Sequence, residues 1–149
     1  MNTYFIVEDN PFYSHLLKEH LLQQQVAVHE FDTGDACLQH MYLEPNVVFL
    51  DYYLEGTLTG IETLQRIKAL HLPTQVVFLT SQQNLQIALD SLRNGAFDYI
   101  EKNEETFDKI QDALARIQLL NELEHGRASL FTFFKNRFKL GGIHKPLVV

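Results

Sequence analysis

Residues able to act as nucleophiles, metal ligands and charge-neutralising groups follow apolar runs in this sequence. Four such runs end in polar residues of this kind: Glu8 and Asp9, Asp51, Thr80, and Lys102. If the runs are parallel strands of one sheet, their carboxyl ends lie at one edge, where open α/β sheets gather their reactive groups. The sequence therefore predicts a single site with three carboxylates, a hydroxyl and an amine.

The chemistry of that set is phosphoryl transfer to a carboxylate. Three carboxylates held together repel one another, and a divalent cation removes the repulsion. Mg²⁺ is the natural choice because it takes hard oxygen ligands and keeps several waters. Asp51 beside such a cation could attack a phosphoryl group, with the Lys102 ammonium neutralising charge and the Thr80 hydroxyl donating to a phosphoryl oxygen. Taken singly, Asp51, Glu8 or Asp9 could be a helix cap or turn former, so the prediction depends on the whole set.

The elements that must position these residues are short β-rich runs that alternate with longer segments of helical periodicity. This pattern predicts an α/β fold with a doubly wound parallel sheet and helices on both faces. The five strands are predicted at residues 4–7, 26–31, 47–50, 75–79 and 98–100. The apolar spacing predicts five helices, near residues 12–21, 35–41, 61–70, 85–92 and 107–117.

The same residues, in this order, resemble the receiver family of response regulators in two-component signalling. The segments that carry the resemblance are IVEDN at 6–10, VVFLDYYL at 47–54, VVFLTS at 76–81 and NGAFDYIEK at 94–102. They are similar, in turn, to the family's acidic pair, phosphoacceptor segment, hydroxyl-bearing switch strand, and strand with the switch aromatic and the lysine. The resemblance covers residues 4–119.

The resemblance implies a flavodoxin-like sheet of strand order 2-1-3-4-5 and a role for each site residue. Asp51 would be the phosphoacceptor, and the metal ligands would be Glu8, Asp9, Asp51 and the backbone carbonyl of Tyr53. Thr80 and Tyr99 would form the switch, in which the aromatic ring turns inward as the hydroxyl moves toward the phosphoryl group.

The sequence departs from the family pattern in the loop after Asp51 and at Asn103. Asp51 and Gly60 are nine positions apart where the family commonly has eight, and the usual Pro of that loop is missing. Asn103 stands where the family usually has a Pro after the lysine, in a cis peptide. A cis bond before Asn would cost about 2.5–4 kcal/mol, so the sequence leaves the isomer of the Lys102–Asn103 bond open.

Composition limits the class of protein. The chain has 149 residues, 46% hydrophobic and 21% charged, which is typical of one soluble globular domain with an appendage. The sequence shows no pattern of a secretory signal or a membrane span. Cys37 is the single cysteine, so no internal disulfide can form. Together these features predict a cytoplasmic location. The total charge of −7 leaves −12 for residues 1–124, which argues against DNA binding by the main domain.

The last part of the chain differs from the rest. We predict a receiver domain at 1–122 and an amphipathic, partly helical extension at 123–149, whose residues from 125 onward include five basic and no acidic ones. Leu130, Phe131, Phe134 and Phe138 share one helical face. The extension could continue the last helix or pack on the domain, or its apolar face could dock a partner, form a dimer contact or lie on a membrane surface.

These observations predict a receiver that takes a phosphoryl group from a histidine kinase or phosphotransfer protein. Its output would be a contact with a downstream protein through the fourth helix, fifth strand and fifth helix or through the extension, with a homodimer as a further option and no direct DNA contact. No turnover of an external substrate is expected, because Tyr52 and Tyr53 occupy the positions where a phosphoester hydrolase would need a second carboxylate. The alternative is a scaffold of the same fold that binds partners without phosphorylation.

Overall fold

The structure is a computed structural model that describes residues 1–82 and 84–139. Its five strands are β1 Thr3–Val7, β2 Ala27–Phe31, β3 Val47–Asp51, β4 Gln75–Thr80 and β5 Asp98–Glu101. They form one sheet in the order β2-β1-β3-β4-β5, and each pair of neighbours is parallel. The predicted fold class and strand order are confirmed.

Helices connect and follow the strands: α1 Pro11–Leu22, α2 Gly34–Gln39, α3 Gly60–Ala69, α4 Leu85–Arg93 and α5 Thr106–Lys139. Local sequence explains where several of them begin. The Asn10 side chain accepts a hydrogen bond from the Tyr13 N–H, with Pro11 at the first helical position. Thr59 and Glu62 form a reciprocal capping box that fixes the start of α3.

The core lies around the central strands. All five residues of β3 are buried, as the continuous apolar run predicts for a strand covered on both faces. The largest fully buried side chains include Phe5, Phe49 and Phe78, one from each of the three inner strands. The edge strands β2 and β5 are only partly buried. The inner strands therefore hold their carboxyl ends in fixed positions.

One predicted helix boundary was wrong, and the length of another helix, which the sequence left open, is given by the structure. The second helix was predicted near 35–41, but α2 ends at Gln39 and a short 3-10 helix follows at Met41–Leu43. The break coincides with His40, whose Nδ1 contacts the Ala36 carbonyl and whose backbone leaves the helical conformation. The fifth helix continues unbroken to Lys139, in line with the alternative that the extension continues the last helix.

The chain divides into two compact units, Met1–Ile110 and a second unit that begins at Gln111. The predicted division at 122/123 falls inside α5 and stays a prediction. The Phe138 side chain and residues 140–149 of the predicted extension lie outside the described residues. In the part of the chain that the structure covers, no helix combines the length and apolar character needed to cross a bilayer.

Candidate functional site

The carboxyl edge of the sheet brings together the five residues singled out from the sequence. Backbone hydrogen bonds extend the strand pairing into this edge and fix its geometry: Glu8 N–H to the Phe31 carbonyl (3.0 Å) and Lys102 N–H to the Thr80 carbonyl (2.6 Å). Asp51 is the last residue of β3 and Thr80 the last of β4. The side chains of Glu8, Asp9, Asp51 and Lys102 line one open cleft, whereas the Thr80 side chain is buried and does not line it.

Three carboxylates form the acidic part of the site. Glu8, Asp9 and Asp51 each offer one oxygen, and these oxygens lie within 4.8 Å of one another. Glu8 and Asp51 are buried, whereas Asp9 is intermediate in exposure. This donor set, hard and anionic with an open side, fits a Mg²⁺-like cation that keeps part of its water shell.

Backbone N–H groups orient each carboxylate. Asn10 N–H donates to Glu8 Oε1 at 3.0 Å, and Glu55 N–H donates to Asp9 Oδ2 at 3.0 Å. Tyr53 N–H donates to Asp51 Oδ1 at 3.1 Å, which places the Tyr53 backbone next to the acidic group. The role of its carbonyl as a metal ligand stays a prediction.

Lys102 supplies the positive charge of the site. Its Nζ is 3.4 Å from Asp51 Oδ2 and makes a closer ion pair with Glu8 Oε2. The ammonium also lies 4.4 Å from the centre of the Tyr13 ring, within range of a cation–π contact. The Lys102 ammonium is thus shared between two of the three carboxylates, Glu8 and Asp51.

The peptide bond between Lys102 and Asn103 is trans, since the described chain contains no cis bond. Asn103 forms a local turn instead: its Oδ1 accepts from Glu105 N–H at 2.9 Å, and its own N–H donates to Thr106 Oγ1 at 2.7 Å. This turn leads into α5. The chain therefore delivers Lys102 to the acidic group without the proline that the family pattern would supply.

The surroundings of Asp51 change the pKa of its carboxyl group. Burial raises the pKa of this carboxyl from 3.8 to about 6; Lys102 lowers it and the Glu8 carboxylate raises it further. The single ammonium does not offset the burial of the acidic group. A bound cation would do so, which is a second reason why these residues fit a metal.

The residues of the predicted switch lie on the neighbouring strands β4 and β5. Thr80 is fully buried, and its Oγ1 accepts from Gln82 N–H at 3.3 Å. The half-buried Tyr99 on β5 donates its hydroxyl to the Gln82 carbonyl at 2.7 Å. Both residues thereby contact the segment after β4, while a switching role stays a prediction.

Sequence reasoning missed two members of the site. Tyr13, which contacts Lys102, lies in the first turn of α1, shortly after the acidic pair, and that closeness in sequence was the available signal. Gln82 accepts from the Tyr53 hydroxyl at 3.0 Å, a contact between residues 29 positions apart that no local pattern reveals. The cleft has a volume of about 560 Å³ and is lined by Glu8, Asp9, Asn10, Tyr13, Asp51, Tyr53, Leu54, Glu55, Ser81 and Lys102.

Fold and site together define a doubly wound α/β protein with an acidic cleft, lined by Glu8, Asp9 and Asp51, at the carboxyl edge of its sheet. The sequence model of the protein family described as the response regulator receiver domain matches residues 4–115 of this chain. The chain belongs to this family, and hence to the proteins of two-component signal transduction. The resemblance inferred from the sequence motifs is confirmed.

Relatives and solved structures agree with this assignment. The chain is 33% identical over 99 residues to the nitrogen assimilation regulatory protein NtrX of Azorhizobium caulinodans, covering 65% of this chain and 22% of that protein. It is 27% identical over 140 residues to the regulatory protein AtoC of Escherichia coli, covering 89% and 29%. A crystal structure of NtrX from Brucella abortus superposes with a TM-score of 0.77 at 27% identity, covering 87% of this chain and 30% of that one.

The receiver fold is also shared with a CheY-like receiver domain protein from Methanospirillum hungatei, at a TM-score of 0.71 and 20% identity over 82% of this chain and 98% of that one. The NtrX and AtoC relatives are several times longer than the stretch they share with this chain, which spans about a quarter of their length.

Proposed function

We propose that this chain is a phosphoacceptor receiver in which Asp51 takes up a phosphoryl group in a Mg²⁺-dependent reaction. The observation that carries the proposal is the surroundings of the Asp51 carboxylate. It is buried, lies 3.4 Å from the Lys102 ammonium, and has one oxygen each of Glu8 and Asp9 within 4.8 Å of its own. A buried carboxylate in such surroundings is suited to nucleophilic attack on a phosphoryl group.

The reaction is a displacement at phosphorus. An Asp51 oxygen attacks the phosphorus of a phosphohistidine on a histidine kinase or phosphotransfer protein, a P–O bond forms, and the P–N bond breaks with its electron pair leaving on the imidazole. The Lys102 ammonium lies against the charge that develops on the phosphoryl oxygens, and the Thr80 hydroxyl donates to one of them. Later attack by water releases inorganic phosphate and restores the carboxylate, so no external substrate is turned over.

The metal ligands in this proposal are Glu8, Asp9, Asp51 and the Tyr53 backbone carbonyl. When bound, Mg²⁺ supplies positive charge to the phosphoryl oxygens and balances the acidic group. The chain's own contribution is to hold the carboxylates in place through the N–H groups of Asn10, Tyr53 and Glu55.

The output of the proposed receiver is a change of a protein-binding surface formed by α4, β5 and α5 or by the extension beyond residue 122. The Tyr99 hydroxyl bonds the Gln82 carbonyl, two residues after Thr80. Movement of Thr80 toward a phosphoryl group would disturb this segment and release the ring. We propose a protein partner rather than DNA because residues 1–124 carry a net charge of −12.

The test is labelling with a small radioactive phosphodonor in the presence of Mg²⁺. The wild type should be labelled, and Asp51→Asn should not. Asp32→Asn is the matched control, since Asp32 also follows a strand but is exposed and outside the acidic group; it should be labelled like the wild type. Equal labelling of wild type and Asp51→Asn would refute the proposal.

One observation favours the alternative of a phosphorylation-independent scaffold. The Lys102 ammonium already makes an ion pair with Glu8, and this pair competes with a cation for the same carboxylate. Titration calorimetry with Mg²⁺ separates the two functions. Binding at millimolar Mg²⁺ that is lost in Asp9→Asn supports the phosphoacceptor, whereas no binding supports the scaffold.

A further inference from the structure

The second unit carries an exposed apolar stripe along α5, defined by Leu119, Leu123, Leu130 and Phe133. Among residues 119–136, whose side chains the structure describes, these four are 56%, 54%, 59% and 55% exposed. Their spacing, with Gly126 in the central gap, is 4, 3, 4 and 3 residues, which is the heptad spacing of a coiled-coil seam.

The stripe lies on a different face from the buried residues of the same helix segment. Ala113, Leu114 and Ile117 are buried. With about 100° between successive residues, Leu119 is turned about 200° from Ile117, and Leu123 and Leu130 lie near Leu119 in the same projection. The exposed stripe is therefore not an extension of the buried face.

Charged residues beside the stripe indicate what covers it. If Leu123 and Leu130 are a positions and Leu119, Gly126 and Phe133 are d positions, Glu122 is a g position and Arg127 an e position. In a parallel two-stranded coiled coil, a g residue faces the e residue five positions later on the other helix. Glu122 and Arg127 are five positions apart and of opposite charge, so two identical helices in parallel form this pair twice.

We propose that the stripe binds a second copy of this chain, and that residues 119–133 of the two copies form a short parallel coiled coil. The proposal does not depend on phosphorylation of Asp51. The seam spans only two heptads, and the dimer should therefore dissociate on dilution. A partner protein or a membrane surface at the same stripe would be a different outcome, which the experiments below distinguish.

The first experiment is sedimentation equilibrium of the full 149-residue chain over a range of concentrations. The wild type should reach twice the 17.3 kDa chain mass, and the Leu123→Glu/Leu130→Glu variant should remain at the single mass. Leu70→Glu is the matched control, because Leu70 is an exposed leucine at the end of α3, outside the proposed binding surfaces; its association should match the wild type. A monomeric wild type at all concentrations, or a dimer abolished by Leu70→Glu alone, would overturn the proposal.

The second experiment tests the parallel register by exchanging the charges. Glu122→Arg and Arg127→Glu should each weaken association several-fold, and the double variant should restore it because the pair is rebuilt in reverse. A double variant no stronger than the single ones overturns the parallel arrangement.

The third experiment fills the central gap. An added Cβ at Gly126 meets nothing within 4 Å, so Gly126→Leu completes the seam without a clash and should tighten the dimer relative to Gly126→Ala. Equal dimer strength in both variants would contradict a seam through residue 126. Flotation with vesicles of anionic lipid provides the last arm, and vesicle binding by a chain that stays monomeric would assign the stripe to a membrane surface instead.

Discussion

The cleft at the sheet edge and the stripe on α5 differ in the sequence separation of their residues and in how far those residues are exposed. In the cleft, Lys102 and Glu8 meet although 94 positions separate them, and both side chains are largely buried. On the stripe, residues within fifteen positions share one helical face and stay more than half exposed. The cleft depends on long-range pairing of strands, and the stripe only on local helix formation. Substitutions in the cleft should therefore alter chemistry and stability, whereas those on the stripe should alter association.

The largest effect is expected at Lys102. Lys102→Met removes the ammonium that lies 3.4 Å from Asp51 Oδ2, and the rate of Asp51 phosphorylation should fall by on the order of 100-fold or more. The measurement is the rate of labelling by a small phosphodonor at saturating Mg²⁺. Lys102→Arg keeps the charge and the ion pair with Glu8, and should retain part of the rate.

Lys109→Met is the control for Lys102. Lys109 makes an exposed ion pair with Glu105 at 3.0 Å, outside the cleft, so its loss should leave labelling unchanged. Circular dichroism must show that Lys102→Met is folded, since removal of one partner from a buried ion pair leaves Glu8 uncompensated. A folded Lys102→Met variant that is labelled at the wild-type rate would remove Lys102 from the mechanism.

The second effect is a pH dependence of stability that arises from Asp51. Its pKa is raised from 3.8 to about 6 in the folded state, mainly by burial, so the folded chain binds more protons than the unfolded chain between those values. The free energy of unfolding accordingly falls as the pH rises through this window. About 2 pK units at 1.36 kcal/mol each give at most about 3 kcal/mol.

Asp51→Asn removes this titration, so at neutral pH without Mg²⁺ the variant should be more stable than the wild type by about 1–3 kcal/mol. Denaturant unfolding at about pH 4 and pH 7 measures the difference, which should vanish at the lower pH and shrink on addition of Mg²⁺. Asp112→Asn, at an exposed ion pair with Arg116, is the control and should change stability little at either pH. A wild type as stable as Asp51→Asn at neutral pH would show that burial does not raise the pKa of this carboxyl.

The contrast between the two regions also explains what could be predicted from the sequence. Inner strands buried on both faces must be continuous apolar runs, so VVFL at 47–50 located β3 and, after it, Asp51. The position of a residue directly after such a run fixes the edge of the sheet at which it lies. The family motifs then supplied the order of the strands.

The covered face of a helix and the form of a local turn could not be predicted from the sequence. Helical spacing located α4, but Leu85, Leu89 and Leu92 of that helix are exposed and Ser91 is its buried residue. Spacing predicts that a helix forms and not which of its faces is covered. The isomer of the Lys102–Asn103 bond was likewise open, because it depends on the turn that Asn103 forms with Thr106.

A third, smaller effect is expected at Gly60, the first residue of α3. An added Cβ would lie 2.7 Å from the backbone oxygens of Asp51 and Tyr52, so the backbone at these two residues or at Gly60 would have to move. Gly60→Ala should lower the free energy of unfolding by about 1–3 kcal/mol, as overpacking does elsewhere. Thermal or denaturant unfolding measures it, and an unchanged or raised stability would contradict the close approach of α3 to β3.

The smallest effect is expected for the same substitution in the other region. Gly126 lies within α5 with nothing within 4 Å of an added Cβ, so Gly126→Ala costs no packing and gains the helix propensity of alanine. The helix should be stabilised by about 0.8–1 kcal/mol, seen in far-UV circular dichroism as greater helix content at elevated temperature. The same substitution is made at a glycine in each region, so the opposite sign at Gly60 reports the close packing at the sheet edge. Equal signs at the two positions would mean that the close approach of Gly60 to the backbone of Asp51 and Tyr52 does not distinguish the cleft from the stripe.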